Sequence, residues 1–311
     1  MQPVRFVHKG RGAVSNPAGR FERDAREPVD DGWARDEDDA AEAAPDTVVL
    51  PDAARSIIAR NTSPDIGFDA SINPYRGCEH GCVYCYARPG HAFLGLSPGL
   101  DFETRLFAKL QAPVLLEAEL ARPGYRCEPI AIGTVTDAWQ PVERRLRLTR
   151  GCLEVFARTG HPVSLITKSS LVERDLDLLG PMGRDGLASA MVTVTTLDPT
   201  LSRVLEPRAP APWRRLRTIR ALADAGVDVG VSLAPIVPFV NEPEIEAILD
   251  AAHEAGARFA NYVVLRLPHE LVEVFDGWLR EHLPDRADRV MARLRDLRGG
   301  RDNDPLFGWR M

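Results

Sequence analysis

From residue 64 to residue 268 the chain alternates short apolar runs with longer stretches of helically spaced apolar side chains. Six runs read as strands: Ile72–Gly77, Pro129–Gly133, Pro162–Thr167, Ala188–Thr195, Val227–Ala234 and Ala260–Leu265. They are continuous rather than alternating, which predicts strands covered on both faces. Between them, Asp101–Leu120 carries Phe102, Leu106, Leu110, Val114, Leu115 and Ala118 at helical spacing, with Pro113 as a kink or break. Pro141–Thr159, Leu171–Leu179, Trp213–Ala225 and Glu242–Ala255 read as further helices, the last two closed by Gly226 and Gly256. Two more helices are expected near 268–282 and 285–297. Strands alternating with helices imply parallel pairing through right-handed crossovers. The predicted fold class is α/β, a partial TIM-like (β/α)6 barrel, with a site at the C-terminal ends of its strands.

The expected domains are an extension over 1–63, a core over 64–268, and C-terminal helices and tail over 269–311. Residues 22–52 hold twelve acidic side chains against Arg23, Arg26 and Arg35, and apolar residues are sparse there. Such a segment repels itself and cannot bury enough surface to fold, so disorder is expected over 24–46. Gly10–Phe21 is different: it has glycines, a proline, Val14 and Phe21, and no acid. It reads either as a flexible linker or as a segment that docks on the core in extended form. The net charge of −6 exerts no global pull toward nucleic acid. No apolar run approaches the length that spans a bilayer, and residues 1–20 lack an apolar signal core. The cysteine usage points to a reducing cytoplasm, with Cys127 and Cys152 expected as buried apolar residues.

Three of the five cysteines, Cys78, Cys82 and Cys85, share one loop with the spacing C-x3-C-x2-C. Three thiolates are one short of a closed four-ligand site. Three ligands on a four-iron cube leave one iron open to a ligand. A zinc knuckle recruiting His80 or His91 as fourth ligand is the competing reading. The remaining strand ends supply polar groups. Thr136 and Asp137 follow strand two and can accept hydrogen bonds from an ammonium, or cap the helix that begins near Pro141. Lys168 and Ser169 follow strand three, and a lysine there can pair with a carboxylate. Thr195, Thr196 and the Asp198-Pro199 turn follow strand four, and Pro235–Pro238 forms an apolar wall suited to an adenine ring.

The cysteine spacing, with Tyr84 just before the last cysteine, resembles the radical S-adenosylmethionine (SAM) superfamily. Asn73–Cys78, Tyr84–Tyr86, Thr136-Asp137 with Gln140-Pro141 and Glu143, and Thr167–Ser169 resemble its spore photoproduct lyase-like, DNA repair photolyase-like branch. The resemblance implies a [4Fe-4S] cluster on Cys78, Cys82 and Cys85, and SAM held near Tyr84, Thr136, Asp137, Lys168 and Thr195. It further implies reductive cleavage of SAM to a 5′-deoxyadenosyl radical that takes hydrogen from a substrate. A flavodoxin- or ferredoxin-type reductant would supply the electron, DNA or RNA are candidate substrates, and no membrane is involved. In the lyase itself a cysteine near the strand-two motif returns a hydrogen atom to the substrate radical. Alignment on Thr136-Asp137 puts Thr134 at that place, and a hydroxyl is a far poorer hydrogen-atom donor.

A nucleic-acid-binding module with a structural zinc, and no SAM chemistry, is the second reading. Arg144-Arg145-Leu146-Arg147, Arg214–Arg217 and the arginines from Arg286 to Arg301 carry it. At helical spacing such runs read first as solvated faces, and only Trp213 lies close enough to add stacking.

Overall fold

The computed structural model describes residues 7–22 and 45–303. The acidic stretch for which disorder is expected falls almost wholly outside the described residues. The chain first forms the short strands β1 (Val48–Pro51) and β2 (Ile58–Arg60), then β3 (Ala70–Ile72) and β4 (Tyr75–Arg76) on either side of Asn73-Pro74. Where one helix is expected over 101–120, the chain instead makes α1 (Leu100–Thr104), β5 (Arg105–Ala108) and α2 (Ala112–Leu120). β5 pairs with β1 in parallel and β4 antiparallel, forming a small separate sheet in the order β1-β5-β4.

β6 (Ile130–Ile132) follows, then α3 (Glu143–Leu146) and α4 (Leu148–Thr159). The single helix expected over 141–159 is interrupted at Arg147, whose φ of 54° is left-handed. β7 (Val163–Thr167) leads through a short 3-10 turn into α5 (Leu176–Arg184), which runs on through Pro181 rather than stopping at Gly180. β8 (Ala188–Thr193) precedes α6 (Pro199–Leu205) and α7 (Pro212–Asp224). The Asp198-Pro199 turn is in fact the start of α6, where the Asp198 side chain caps the Thr200 N–H at 2.7 Å. β9 (Asp228–Ile236), α8 (Ile245–Glu254), β10 (Phe259–Val264), α9 (Leu271–His282) and α10 (Pro284–Asp296) complete the order.

The main sheet runs β10-β9-β8-β7-β6-β3-β2. Every pair in it is parallel except β2 with β3. Five of the six parallel strands fall on predicted apolar runs; the first is displaced, since the run expected over Ile72–Gly77 meets β3 only at Ile72 and otherwise forms β4 in the small sheet. Among the described residues β10 and β2 are the unjoined edges, so the barrel is open.

Successive strand residues point to opposite faces, and the two faces differ sharply. On the outer face Ile130, Ile132, Val163, Leu165, Ala190, Val192, Val229, Val231 and Leu233 pack with helical residues such as Leu153, Phe156, Leu179, Leu222 and Ile248. On the inner face the register aligns Ala131, Ser164 and Ser189, then Ile166, Met191, Gly230 and Phe259, then Thr193, Ser232 and Asn261. The lumen therefore mixes small and hydroxyl side chains with Ile166, Met191 and Phe259, where the outer face is almost wholly aliphatic. Helices α9 and α10 pack through Phe275, Trp278 and Val290 into a second apolar cluster, which also holds Cys82, Val83 and Tyr84. Cys152 is buried as expected, whereas Cys127 is exposed because it sits in the loop before β6.

Candidate radical SAM site

The cysteine loop follows β4 at the C-terminal end of the barrel. Cys78 and Cys82 are each 7% exposed and Cys85 is half-buried, and all three thiols are unpaired. Burial pushes the Cys78 thiol well up, with the charges of Asp137 and Cys82 adding to it. Burial likewise pushes Cys82 up to about 12, against a downward pull from Lys168. Thiolates at this place therefore need a cation to hold them, and a cluster of iron supplies one.

The strand-two motif ties itself to this loop. Thr136 Oγ1 donates to the Gly77 carbonyl at 2.6 Å, and Gln140 Nε2 donates to Thr136 Oγ1 at 3.0 Å. Gln140 Oε1 accepts from the Glu79 N–H at 2.8 Å. Asp137 faces the other way. Its carboxylate accepts from Thr167 Oγ1 at 2.7 Å, the Lys168 N–H at 2.8 Å and the Trp139 N–H at 2.9 Å. Its Oδ2 also lies 3.3 Å from His80 Nδ1. Burial opposes its charge, but His80 and these hydrogen bonds prevail and hold its pKa at about 2. Neither side chain caps the helix, since α3 begins at Glu143 without a side-chain cap; the polar atoms of Thr136 and Asp137 instead have protein partners that lock two loops together.

Lys168 behaves differently. Its ammonium makes no hydrogen bond among the described residues and sits 5.6 Å from the Tyr84 ring centroid. Burial works against its charge, yet Cys82 and Glu206 outweigh burial and raise its pKa above the ordinary lysine value. Tyr84 donates its hydroxyl to Glu206, which also accepts from Arg215. Glu206 and Arg215 are fully buried, and Arg215 donates further to the carbonyls of Pro210 and Thr193.

Two buried hydroxyls are left over. Thr195 Oγ1, just beyond β8, and Ser232 Oγ, inside β9, have no hydrogen-bond partner among the described residues. A buried hydroxyl without a partner is costly unless a ligand completes it. Beside three unpaired thiols and a lysine with no hydrogen bond, these orphans fit a polar ligand next to a cluster.

The sequence reading missed Ser232, Glu206, Arg215, Arg88 and Glu103. Only Ser232 had a signal, a polar residue alternating with Gly230 and Ala234 inside an apolar run. Of the three motif tyrosines, Tyr75 is fully buried and donates to Glu143, while Tyr86 is exposed and donates to the Thr134 carbonyl. Among the described residues, no three Cys, His, Asp or Glu side chains gather where one metal ion could sit. His91, one of the fourth ligands that the zinc reading needs, is turned to the Arg105 carbonyl at 2.9 Å. The arginine run at 214–217 is partly structural, since Arg214 pairs with Glu173 and Arg215 with Glu206.

A family model for the radical SAM superfamily matches residues 72–252. The chain belongs to the radical SAM superfamily. Uncharacterised proteins of Mycobacterium tuberculosis and Mycobacterium bovis are 36% identical over 232 residues, covering 74% of this chain and 67% of theirs. An uncharacterised protein of Methanocaldococcus jannaschii is 27% identical over 54% of this chain and 60% of its own. Among solved structures, a spore photoproduct lyase variant with AdoMet and dinucleoside spore photoproduct superposes with a TM-score of 0.56 at 15% identity. That match covers 75% of this chain and 66% of the lyase, just under two thirds of its length, and it shows a shared fold. Membership of the superfamily implies a [4Fe-4S] cluster and SAM, and it supports an enzyme. No helix among the described residues is long and apolar enough to cross a membrane.

Proposed function

We propose that Cys78, Cys82 and Cys85 hold a [4Fe-4S] cluster and that SAM lies between this loop and the lumen, beside Lys168 and Thr195. The observation that carries this is one juxtaposition: three unpaired thiols, two of them buried, share a loop at the barrel end where Thr195, beyond β8, and Ser232, within β9, present orphaned hydroxyls. When bound, the pair supplies one-electron reductive cleavage of SAM to methionine and a 5′-deoxyadenosyl radical that removes hydrogen from the substrate.

This chain's own residues do the positioning. The Lys168 ammonium is available to a carboxylate, and Thr195 and Ser232 to polar ligand atoms. Tyr84 forms a wall of the site, fixed through Glu206. Thr136 holds the turn at Gly77, and Asp137 holds the backbone of Lys168.

A flavodoxin- or ferredoxin-type protein is the proposed electron donor. Nucleic acid is the substrate class we carry forward, supported by the fold shared with a lyase solved on a dinucleoside photoproduct. Photoproduct repair itself is not carried over. Thr134 has no thiol; its hydroxyl accepts from Asn73 Nδ2 at 3.0 Å and its carbonyl accepts from Tyr86.

The test is anaerobic reconstitution with iron and sulfide, then dithionite reduction with SAM, assayed for 5′-deoxyadenosine. The wild type is expected to form it and Cys82→Ala to form none. A wild type that binds one zinc, assembles no cluster and leaves SAM intact sinks this reading.

A further inference from the structure

Residues 7–22 lie against the back of the cysteine loop, and their contacts converge on one carboxylate. Glu103 is fully buried. Its Oε2 accepts from the Gly12 N–H at 2.9 Å, and its Oε1 from the Ala13 N–H and from Arg88 Nη2, each at 2.9 Å. Arg88 is also fully buried and spends its remaining donors on carbonyls. Nε reaches Cys82 at 2.8 Å and Nη2 reaches Gly81 at 2.9 Å, while Nη1 reaches Pro98 and Gly99. The guanidinium thus grips the peptide between the first two loop cysteines, and the N-terminal amides complete the carboxylate that balances it.

The fit leaves no slack. A Cβ on Gly12 would stand 1.8 Å from the Gly81 carbonyl oxygen, so only glycine permits the two backbones to touch. Ala13 enters the same apolar cluster as Cys82, Val83, Tyr84 and Trp278. Further along, Ser97 Oγ donates to the Pro17 carbonyl at 2.5 Å. Arg20 closes the run on Glu270 at 2.8 Å, stacked near Phe21 and Phe93.

We propose that residues 10–20, with Glu103 and Arg88, are a positioning clamp for the three-cysteine loop; this deepens the cluster reading and rests on it. Without the strap amides, a buried carboxylate loses two of its three donors, and a half-satisfied buried charge pair is unstable. The Arg88 grip on Gly81 and Cys82 then loosens first. The helix-covered barrel core contains no residue of the strap, so the effect is local.

The experiment follows thiol alkylation in the cluster-free full chain, mapped by peptide mass, for wild type, Gly12→Val and Arg20→Ala. Exposed Cys127 serves as the fast reference, and Cys152, buried in the barrel core, as the slow one. Gly12→Val is expected to speed alkylation of Cys78 and Cys82 about tenfold, and Arg20→Ala about threefold, with Cys127 and Cys152 unchanged. After reconstitution, iron loss to a chelator should follow the same order, with a broadened electron paramagnetic resonance signal from the reduced Gly12→Val protein. Equal rates in all three proteins overturn the clamp, and so does Cys152 accelerating in step with Cys82. A wild type that holds no iron defeats the cluster reading instead, and the cluster-free thiol rates still judge the clamp.

Discussion

The barrel wall and the cysteine loop are both buried, but different forces hold them. Behind the wall, Leu165, Val192, Val231, Phe156 and Leu222 meet without a polar atom among their side chains. Around the loop, charges are buried outright: Arg88 with Glu103 and Arg215 with Glu206. Apolar packing is non-directional and tolerates change that keeps volume. Buried charge pairs fix geometry tightly and fail badly when halved. The wall supplies stability, and the loop region gives up some of that stability to hold sulfur and oxygen atoms at set places.

Removing half of a buried pair should break this contrast most visibly. Glu206→Ala leaves the Arg215 and Lys168 cations uncompensated beside Tyr84 and is expected to cost about 4 kcal/mol in urea unfolding. It should also expose Cys82 to alkylation. Leu165→Ala in the wall should cost about 3 kcal/mol through its cavity, with no selective exposure of the loop cysteines. If both variants exposed Cys82 equally, the two regions would be one.

Acid sharpens the comparison. Asp137 titrates at about 2 in the fold against an ordinary 3.8. A depressed carboxylate contributes stability above its unfolded value and loses it as pH falls through its folded value. Asp137→Asn is expected to cost about 2 kcal/mol at pH 7, the deficit closing between pH 4 and 2 in acid titrations followed by circular dichroism. The smallest effect has the opposite sign. Ser232→Ala removes an orphaned hydroxyl and should raise stability by about 1 kcal/mol while weakening SAM binding about fivefold by calorimetry. Unchanged SAM affinity would take Ser232 out of the ligand site.

The alternation of apolar runs with helices was legible because β7, β8 and β9 are rich in aliphatic residues, whereas the first strand was misplaced because β3 is only Ala70-Ser71-Ile72. The region before α2 was not. Phe102, Leu106 and Leu110 are spaced by four, which a helix favours and which a period of two also contains. The fold uses the latter for β5, where Leu106 and Ala108 are buried together. The break at Arg147 has no sequence mark, since arginine is not a residue that signals a left-handed backbone. In the site, cysteine spacing is a local pattern and could be read. The partners Glu103–Arg88 and Glu206–Arg215 are joined only by tertiary contact, and a lone Glu or Arg in a sequence carries no sign of burial. Gly10–Phe21 showed its glycines and its lack of acid but not its partner, because Glu103 lies far along the chain.

That distance has a consequence for the order of events during synthesis. The strap at Gly12–Val14 is made before Glu103 and well before Gly277, against which Val14 packs. Its binding place is not complete until α9, which carries Gly277, has left the ribosome, at roughly ten residues per second of translation. A segment translated early is therefore seated late, and the loop that it backs is held in place only after most of the chain has been released.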